Sequence, residues 1–600
     1  MKKGRIKKQK DAYKKLIEEC GDMKAFFIMT LAVLVSAQAE YELRQYDIKK
    51  TSQIDGNPKS RERDIISNQR VIIPSVKAVI ISLDRDMPGK YVLQTSKGVQ
   101  FYRVMQGMQP KKKEAFQKDL EKFIVGQPLT LEKIEAIKSK VSTFYQNNGF
   151  ALVVVNVPEQ DVTDGVLVIT VLEARLGKVE VTGNKFFSTD WYLKNLSVEE
   201  DQTIQTATVD SDVAYINQSP WRQASAIYKA GSQYGTTDIE LYVRDERPAR
   251  LFMGVDNTGF EVTNYNRIFF GFNLGNFLNY DQNLAFQYTA SPDFQKFQAY
   301  TVFYSCPLPW RDEISLIGGY STINVHTVYS DDGVLSSHNH GKDWQASFRY
   351  GVFIPPSGKF FQKAKAGLDI KQTNNDLTVS NFAVVSSSLA SVVEAVGTYE
   401  ATYTFKNNTF TFVGEGFVQP WYFGRTMSET NYSELRPGSV TKFFYARLKG
   451  EYVWADPASG MSMTIKVRAQ GASGALIPLE TFGIGGENSV RGYVERVVNV
   501  DNGGILNFEF RTPYVSPSRN RISDKFSAVL FCDLGGGGVL RPVSEQPSSY
   551  FLAGIGPGLR YDISSVLRTR FDVGFRLTDE PFASSTPERA RFYFNVTASY

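Results

Sequence analysis

From Arg250 to its C-terminus the chain repeatedly alternates apolar and polar residues, and this period of two restricts the available folds more than any other feature. In "RIFFGFNLGN", Ile268, Phe270, Phe272 and Leu274 share one face, with Arg267, Gly271 and Asn273 on the other. "SMTIKVRAQ" sets Met463, Ile465, Val467 and Ala469 against Thr464, Lys466, Arg468 and Gln470. "RTRFDVGFRL" sets Phe571, Val573, Phe575 and Leu577 against Arg570, Asp572, Gly574 and Arg576, and "RFYFNVTASY" ends the chain in the same way. One such strand would suit a soluble sandwich equally well. Strands of about 9 to 11 residues, however, are the length that crosses a bilayer at a tilt. Their polar faces carry several charges, which a water-filled lumen accommodates. Backbone groups in lipid must all be paired, so strands of this kind have to close into a barrel without a free edge. The region 249–600 at roughly 22 residues per strand and connection predicts about 16 antiparallel strands. Nine are assignable, and the pattern blurs between 300 and 440.

The N-terminal segment is of a different kind. "MKAFFIMTLAVLVSAQAE" has a lysine, an apolar core from Ala25 to Val35 and small residues at Ala37 and Ala39, so residues 1–39 read as a signal peptide cleaved after Ala39. Residues before Met23 are either an extended basic n-region or an over-called start. The formal charge of +5 belongs to this leader, because without it 59 Lys and Arg face 59 Asp and Glu. The balance offers no basis for nucleic-acid binding. Beyond residue 39 no apolar run is long enough for a membrane helix. Cys20 leaves with the leader, and the remaining Cys306 and Cys532 are too few for a disulfide framework in an exported chain of this length.

Residues 40–71 are polar and read as a linker. Two small α/β modules follow, at 72–174 and 175–248. In the first, "VKAVIISLD" reads as a buried strand and a charged helix follows near 111–123. The next helix, "LTLEKIEAIKSKVSTFYQNNGF", has Leu131, Ile134, Ile137, Val141 and Phe144 at helical spacing. "ALVVVNV" and "GVLVITVLEA" close the unit. The second module repeats the order, with Ser188 as N-cap of "STDWYLKNL". Both are expected to run β-α-α-β-β.

Pro158-x-Gln160 followed by "DGVLVITVLEARLGKVEVTGNKFF" resembles the first of two polypeptide-transport-associated (POTRA) domains and its junction with the second. "INQSPWRQASAIYKAGSQYGTTDIELYVRDERPARLFMGVDNTG" resembles the second domain and the start of a barrel. "VPEQ" departs from the commoner "LPPQ". The match covers most of the chain after the leader and is to the two-partner-secretion transporters of the bacterial outer membrane (haemolysin activator and filamentous-haemagglutinin transporter type).

That resemblance gives "GENSVRGYVERV" a place. An isolated match of this length is as readily a surface turn with a solvated cation. Counting back through strands at 591–600, 568–577, 554–563, 525–535, 504–511 and 462–471 puts it in a connection of about thirty residues, the sixth surface-side loop. The family carries a Val-Arg-Gly-Tyr tetrad there, matched by Val490, Arg491, Gly492 and Tyr493, and folds that loop into the lumen. The second family motif, Phe-x-Asp-x-Gly, is matched by Phe531, Asp533 and Gly535, which alternation turns inward while Cys532 and Leu534 face lipid. Arg491 and Asp533 are therefore an expected pair. In a wet lumen the pair would add little net stability and would act by positioning the loop.

The resemblance implies that the POTRA domains stand in the periplasm and capture an unfolded, secreted exoprotein as an added strand, and that the barrel passes it outward. The implied surroundings are outer-membrane lipids, periplasmic chaperones and the barrel-assembly machinery, around a monomeric transporter. An outer-membrane insertase is the alternative. It shares the arginine loop but usually has more POTRA domains. A passive porin would need neither module. No plug helix is predicted, because residues 40–70 are too short and polar to form both a plug and its linker. No catalytic residues, cofactor or metal are expected. The "SHNHG" pair, His338 and His340, reads as a polar loop without an evident third ligand.

Overall fold

The computed structural model describes residues 71–83, 93, 95–102, 110–150, 152–330, 334–379, 386–519, 521–544, 546–579, 581 and 588–600. The expected leader and nearly all of the expected linker lie outside them. The described residues fall into two compact units that meet in sequence at Arg247 and Pro248.

In the first unit the chain runs β1 (Val71–Ile73), β2 (Ala78–Leu83), β3 (Gly98–Tyr102), α1 (Pro110–Ile124), β4 (Leu129–Thr130), α2 (Leu131–Asn147), β5 (Val153–Asn156) and β6 (Val166–Glu173). β2 is apolar along almost its whole length because it lies inside a sheet ordered β3-β2-β6-β5. Thr130 caps α2 by accepting from Lys133 N–H at 3.3 Å, and Ile137, Val141 and Phe144 turn into the core. The expected β-α-α-β-β order is incomplete here. β3 is an additional strand running parallel to β2, and it was missed because a five-residue segment with a glycine at its start carries little periodicity. Gln160 has a structural use: its amide accepts from Val168 N–H and donates to Val168 C=O, both at 2.7 Å, as a strand neighbour would.

The second module runs β7 (Arg175–Thr182), α3 (Thr189–Lys194), α4 (Thr206–Ile216), β8 (Arg222–Ala230) and β9 (Thr236–Asp245), with a sheet ordered β7-β9-β8. Ser188 Oγ accepts from Trp191 N–H at 3.2 Å and caps α3. Thr206 ties the modules together, donating its N–H and its hydroxyl to Gly149 C=O, each at 2.9 Å.

The second unit is a closed antiparallel barrel of sixteen strands. It comprises β10 (Ala249–Asp256), β11 (Arg267–Phe277), β12 (Gln282–Ala290), β13 (Phe297–Pro307), β14 (Glu313–Ser330), β15 (Val334–Ser357), β16 (Phe360–Val379) and β17 (Ser386–Phe405). β18 (Asn408–Gln419) follows, then a connection bearing α5 (Glu429–Leu435), then β19 (Phe443–Ala455) and β20 (Ser462–Ala472). A connection with its own hairpin, β21 (Phe482–Ile484) and β22 (Val498–Val500), leads to β23 (Asn502–Arg511). The barrel finishes with β24 (Asp524–Gly538), β25 (Ser549–Ile563), β26 (Leu567–Arg576) and β27 (Ala590–Ser599), which pairs with β10 from Phe252↔Ser599 to Asp256↔Asn595.

Side-chain exposure follows the alternation. Trp344, Phe348, Leu368 and Ile370 point outward, whereas Asp343, Ser347, Asp369 and Lys371 are buried on the inner face. Phe270, Tyr288, Tyr300, Tyr320 and Trp344 are direct cross-strand neighbours in one row around the outside, as an interfacial girdle requires. Strands β14 to β17 differ from expectation, at 18, 24, 20 and 20 residues. At about 3.3 Å per residue, β15 is more than twice the thickness of a hydrocarbon core, so these hairpins continue beyond it. Outside lipid nothing demands an apolar outer face, which explains the blurred pattern. His338 and His340 accordingly lie on β15 and not in a polar loop.

Candidate functional site

Residues 473–501 form the sixth surface-side connection, and they fold back among the inward-facing residues of the wall. Val490 and Tyr493 have no exposed surface and join Ile484, Val498 and Val500 in a core against Ile505 and Leu552 of the wall. The "GIGGEN" glycines make the reversal. Gly485 and Gly486 have φ of 110° and 105°, a region that side chains disfavour, and Gly486 N–H donates to Val490 C=O at 3.1 Å.

Arg491 stands at the tip of this connection and is 2% exposed. Its Nε and Nη2 donate to the two oxygens of Asp533 at 2.7 and 2.8 Å, the planar two-point pairing that guanidinium and carboxylate favour. Nη1 donates to Glu509 at 2.7 Å and to Asp572 at 3.2 Å. The guanidinium carbon lies 3.4 Å from the centre of the Phe531 ring, a cation–π contact from the other family motif. Asp533 also accepts from Arg491 backbone N–H at 3.1 Å and from Asn507 Nδ2 at 2.8 Å.

The neighbouring motif residues serve close approach. Gly492 has φ of 108°, and a side chain there would stand 3.0 Å from Arg576 N. Its N–H donates to Tyr593 Oη at 2.9 Å, and the same hydroxyl donates to Tyr493 C=O at 2.6 Å. Tyr493 Oη donates toward Thr578 C=O at 2.8 Å. A methyl group on Gly535 would lie 2.6 Å from Ile484 Cγ2 and 2.7 Å from Val490 Cγ2, so the wall lacks a side chain where the loop rests. Phe531 is buried and Leu534 is 36% exposed, as inward and outward positions.

Two expectations need amendment. The pair is not in a wet, screened setting: Asp533 is fully buried and Arg491 nearly so, where loss of one partner matters far more than on a surface. Nor is it only a pair. Glu509 and Asp572 were not anticipated as partners, and Asp572 is held in turn by Arg560 at 2.6 Å and Arg570 at 2.8 Å. Arg570 continues the network to Asn488 and to the Glu487 carbonyl of the loop, both at 3.1 Å. The inward parity of Arg570 and Asp572 in "RTRFDVGFRL" was the available signal, but parity does not say which inward groups meet. Among the described residues no group of three His, Cys, Asp or Glu side chains is arranged to hold a metal ion.

Comparison with known proteins agrees with this architecture. Residues 235–561 match the family described as haemolysin secretion/activation protein ShlB/FhaC/HecB, and residues 104–174 match the ShlB-type POTRA domain. The heme/hemopexin transporter protein HuxB of Haemophilus influenzae (strain 86-028NP) is 22% identical over 408 residues, 65% of this chain and 68% of the relative. The outer membrane transporter CdiB of Escherichia coli is 22% identical over 507 residues, 79% of this chain and 78% of the relative. The solved structure of CdiB from Escherichia coli superposes with a TM-score of 0.71 at 17% identity, covering 97% of this chain and 99% of that one. CdiB from Acinetobacter baumannii gives 0.65 at 17% identity, covering 96% and 99%. With the family match spanning more than half of its length, the chain belongs to the haemolysin secretion/activation family and is a two-partner-secretion transporter of the outer membrane, its POTRA domains periplasmic.

Proposed function

We propose that Arg491 holds the sixth loop in the lumen as a releasable lock while the POTRA modules deliver an unfolded exoprotein to the barrel. The buried fork from Arg491 to Asp533 carries this reading, because with the contacts to Glu509 and Asp572 it joins the folded-in loop to three separate wall strands, β23, β24 and β26. A loop so held occupies the space through which an extended chain must pass, and its displacement is a step of transport. Capture adds the exoprotein as a strand at an open sheet edge. In the second module the outer edge of β8 has no strand partner among the described residues, and its Ile227 is 40% exposed. The surrounding partners are outer-membrane lipids on the aromatic girdle, with chaperones and the barrel-assembly machinery before insertion, and the working transporter is a monomer.

Export of a co-expressed exoprotein substrate, compared between wild type and Arg491→Ala or Asp533→Ala, tests the lock. Loss of export in both supports it, and normal export in both removes it. Two POTRA domains and the family match favour secretion over insertion of other barrels.

A further inference from the structure

A second charged cluster holds the other end of the same loop with its polarity reversed. At the tip the loop brings a cation to anions of the wall. At the root the wall brings a cation, Lys371 of β16, to an anion of the loop, Glu480. Lys371 is 1% exposed, and its Nζ donates to Glu480 Oε1 at 2.9 Å and to Glu394 Oε1 of β17 at 2.7 Å, with Asp369 Oδ2 at 3.8 Å. Glu480 is fully buried; its Oε2 accepts from Tyr445 Oη at 2.5 Å, and its backbone carbonyl accepts from Gln470 Nε2 at 3.0 Å and Arg447 Nη2 at 3.2 Å. Leu476, Ile477 and Leu479 beside it pack against Phe417, Tyr432 and Tyr445.

The two ends differ in what remains when the loop leaves. At the tip, Asp533 would lose both arms of the guanidinium and keep Asn507 as its side-chain donor. At the root, Lys371 would keep Glu394 and Asp369, both on the wall, so its charge stays neutralised inside the barrel. Glu394 moreover has one buried oxygen, Oε2, without a hydrogen-bond partner, so it has capacity to take Lys371 more fully. The root can therefore detach with Lys371 still paired on the wall, at the cost of the 3.9 Å contact between Glu480 and the partly exposed Arg447 of β19, whereas the tip leaves the fully buried Asp533 without its cation.

We propose that Lys371 is a positioning residue of the transport pore, which seats the root of the lumen loop through Glu480 and makes the root the end that releases first. The inference rests on the loop being the gate, and it adds a residue outside both family motifs. The test is ion current through the purified full-length protein in planar bilayers, with heat-modifiable migration on gels as the check on folding. Lys371→Met is expected to raise mean current several-fold, because Glu394 and Glu480 then lose the cation between them and only the longer contact of Glu480 with Arg447, at 3.9 Å, is left. Glu480→Gln should raise it less. The exchange Lys371→Glu with Glu480→Lys restores one cation between two carboxylates and should return the current toward wild type, which loss of packing alone would not do. Arg491→Ala is measured in parallel. A raised current for Arg491→Ala with wild-type current for Lys371→Met overturns this inference and leaves the gate standing. Wild-type current for both overturns the gate as well. An exchange variant as leaky as Lys371→Met, although folded, also overturns the positioning role. If Lys371→Met yields no folded barrel, Glu480→Gln and the exchange decide in the same way.

Discussion

Replacing Arg491 by alanine removes four side-chain hydrogen bonds and the cation over Phe531, but its consequences fall unequally on the three carboxylates. Asp572 keeps Arg560 and Arg570, and Glu509 keeps Arg560 at 3.8 Å. Asp533 keeps Asn507 and the backbone N–H of residue 491, which survives the substitution. Breaking a buried pair by deleting one partner typically costs about 3–5 kcal/mol. Two surviving donors put this case near the lower end, at roughly 3 kcal/mol, which is about two powers of ten in the balance between seated and displaced loop. Arg491→Lys keeps the charge and loses the fork, so it should shift that balance by roughly tenfold. The assay is thiol labelling of Ser489→Cys, a buried loop position, in full-length protein lacking Cys20, Cys306 and Cys532, together with export of the exoprotein. Labelling should rise in the order wild type, lysine, alanine, and export should fall at least tenfold in the alanine variant. Asp533→Asn combined with Arg491→Ala should be clearly less disruptive than the two effects multiplied, since each removes the same contact. Labelling of Arg491→Ala within threefold of wild type, with export unchanged, would refute the reasoning.

Gly535→Ala should displace the loop through contact with Ile484 and Val490, lowering barrel stability by about 1–3 kcal/mol and raising Ser489→Cys labelling, whereas Gly450→Ala, where nothing lies within 4 Å, should do neither. Tyr593→Phe removes one hydroxyl that serves both Gly492 and Tyr493, and should lower the temperature of heat modification by an amount matching about 1–3 kcal/mol. Glu173, at the end of β6, is pushed by burial from 4.5 to about 7, while Arg175 and Thr203 pull it partly back. Its folded-state value lies above its unfolded one, so its contribution is complete below about pH 4.5 and is lost as pH rises toward about 7. One pKa unit corresponds to 1.36 kcal/mol, which sets a ceiling near 3 kcal/mol and, after solvent screening, about 1–2 kcal/mol. Urea unfolding of the N-terminal unit, residues 47–247, should show this decline, and Glu173→Gln should flatten it.

The legible parts of the barrel were those where lipid imposes a rule. β23 to β27 must show apolar groups outward along their whole length, so their parity placed Phe531, Asp533 and Gly535 inward and located the sixth loop. The rule lapses in β14 to β17, which outrun the membrane, and "SHNHG" consequently passed for a loop. The site was legible to the extent that motif residues named themselves. Glu509 and Asp572 did not, because their meeting with Arg491 depends on how far the loop reaches across the lumen, which no local pattern records. The expectation of a screened, positional pair failed for a related reason. The apolar packing of Val490, Tyr493 and Ile484 removes water from around Arg491, and the density of that packing is a property of the assembled wall.

The chain order of the tip contacts has a consequence for biogenesis. Arg491 finds its partners 18, 42 and 81 residues further on, and Gly492 meets Tyr593 a further 101 residues along. Arg468, ahead of the loop, holds the Asn488 carbonyl near the tip, but these partners of Arg491 and Gly492 all follow the loop in the chain, and the last contact belongs to the final strand. The tip network is therefore complete only once the final strand is in place, and that strand also makes the most sequence-distant closure of the barrel, to β10.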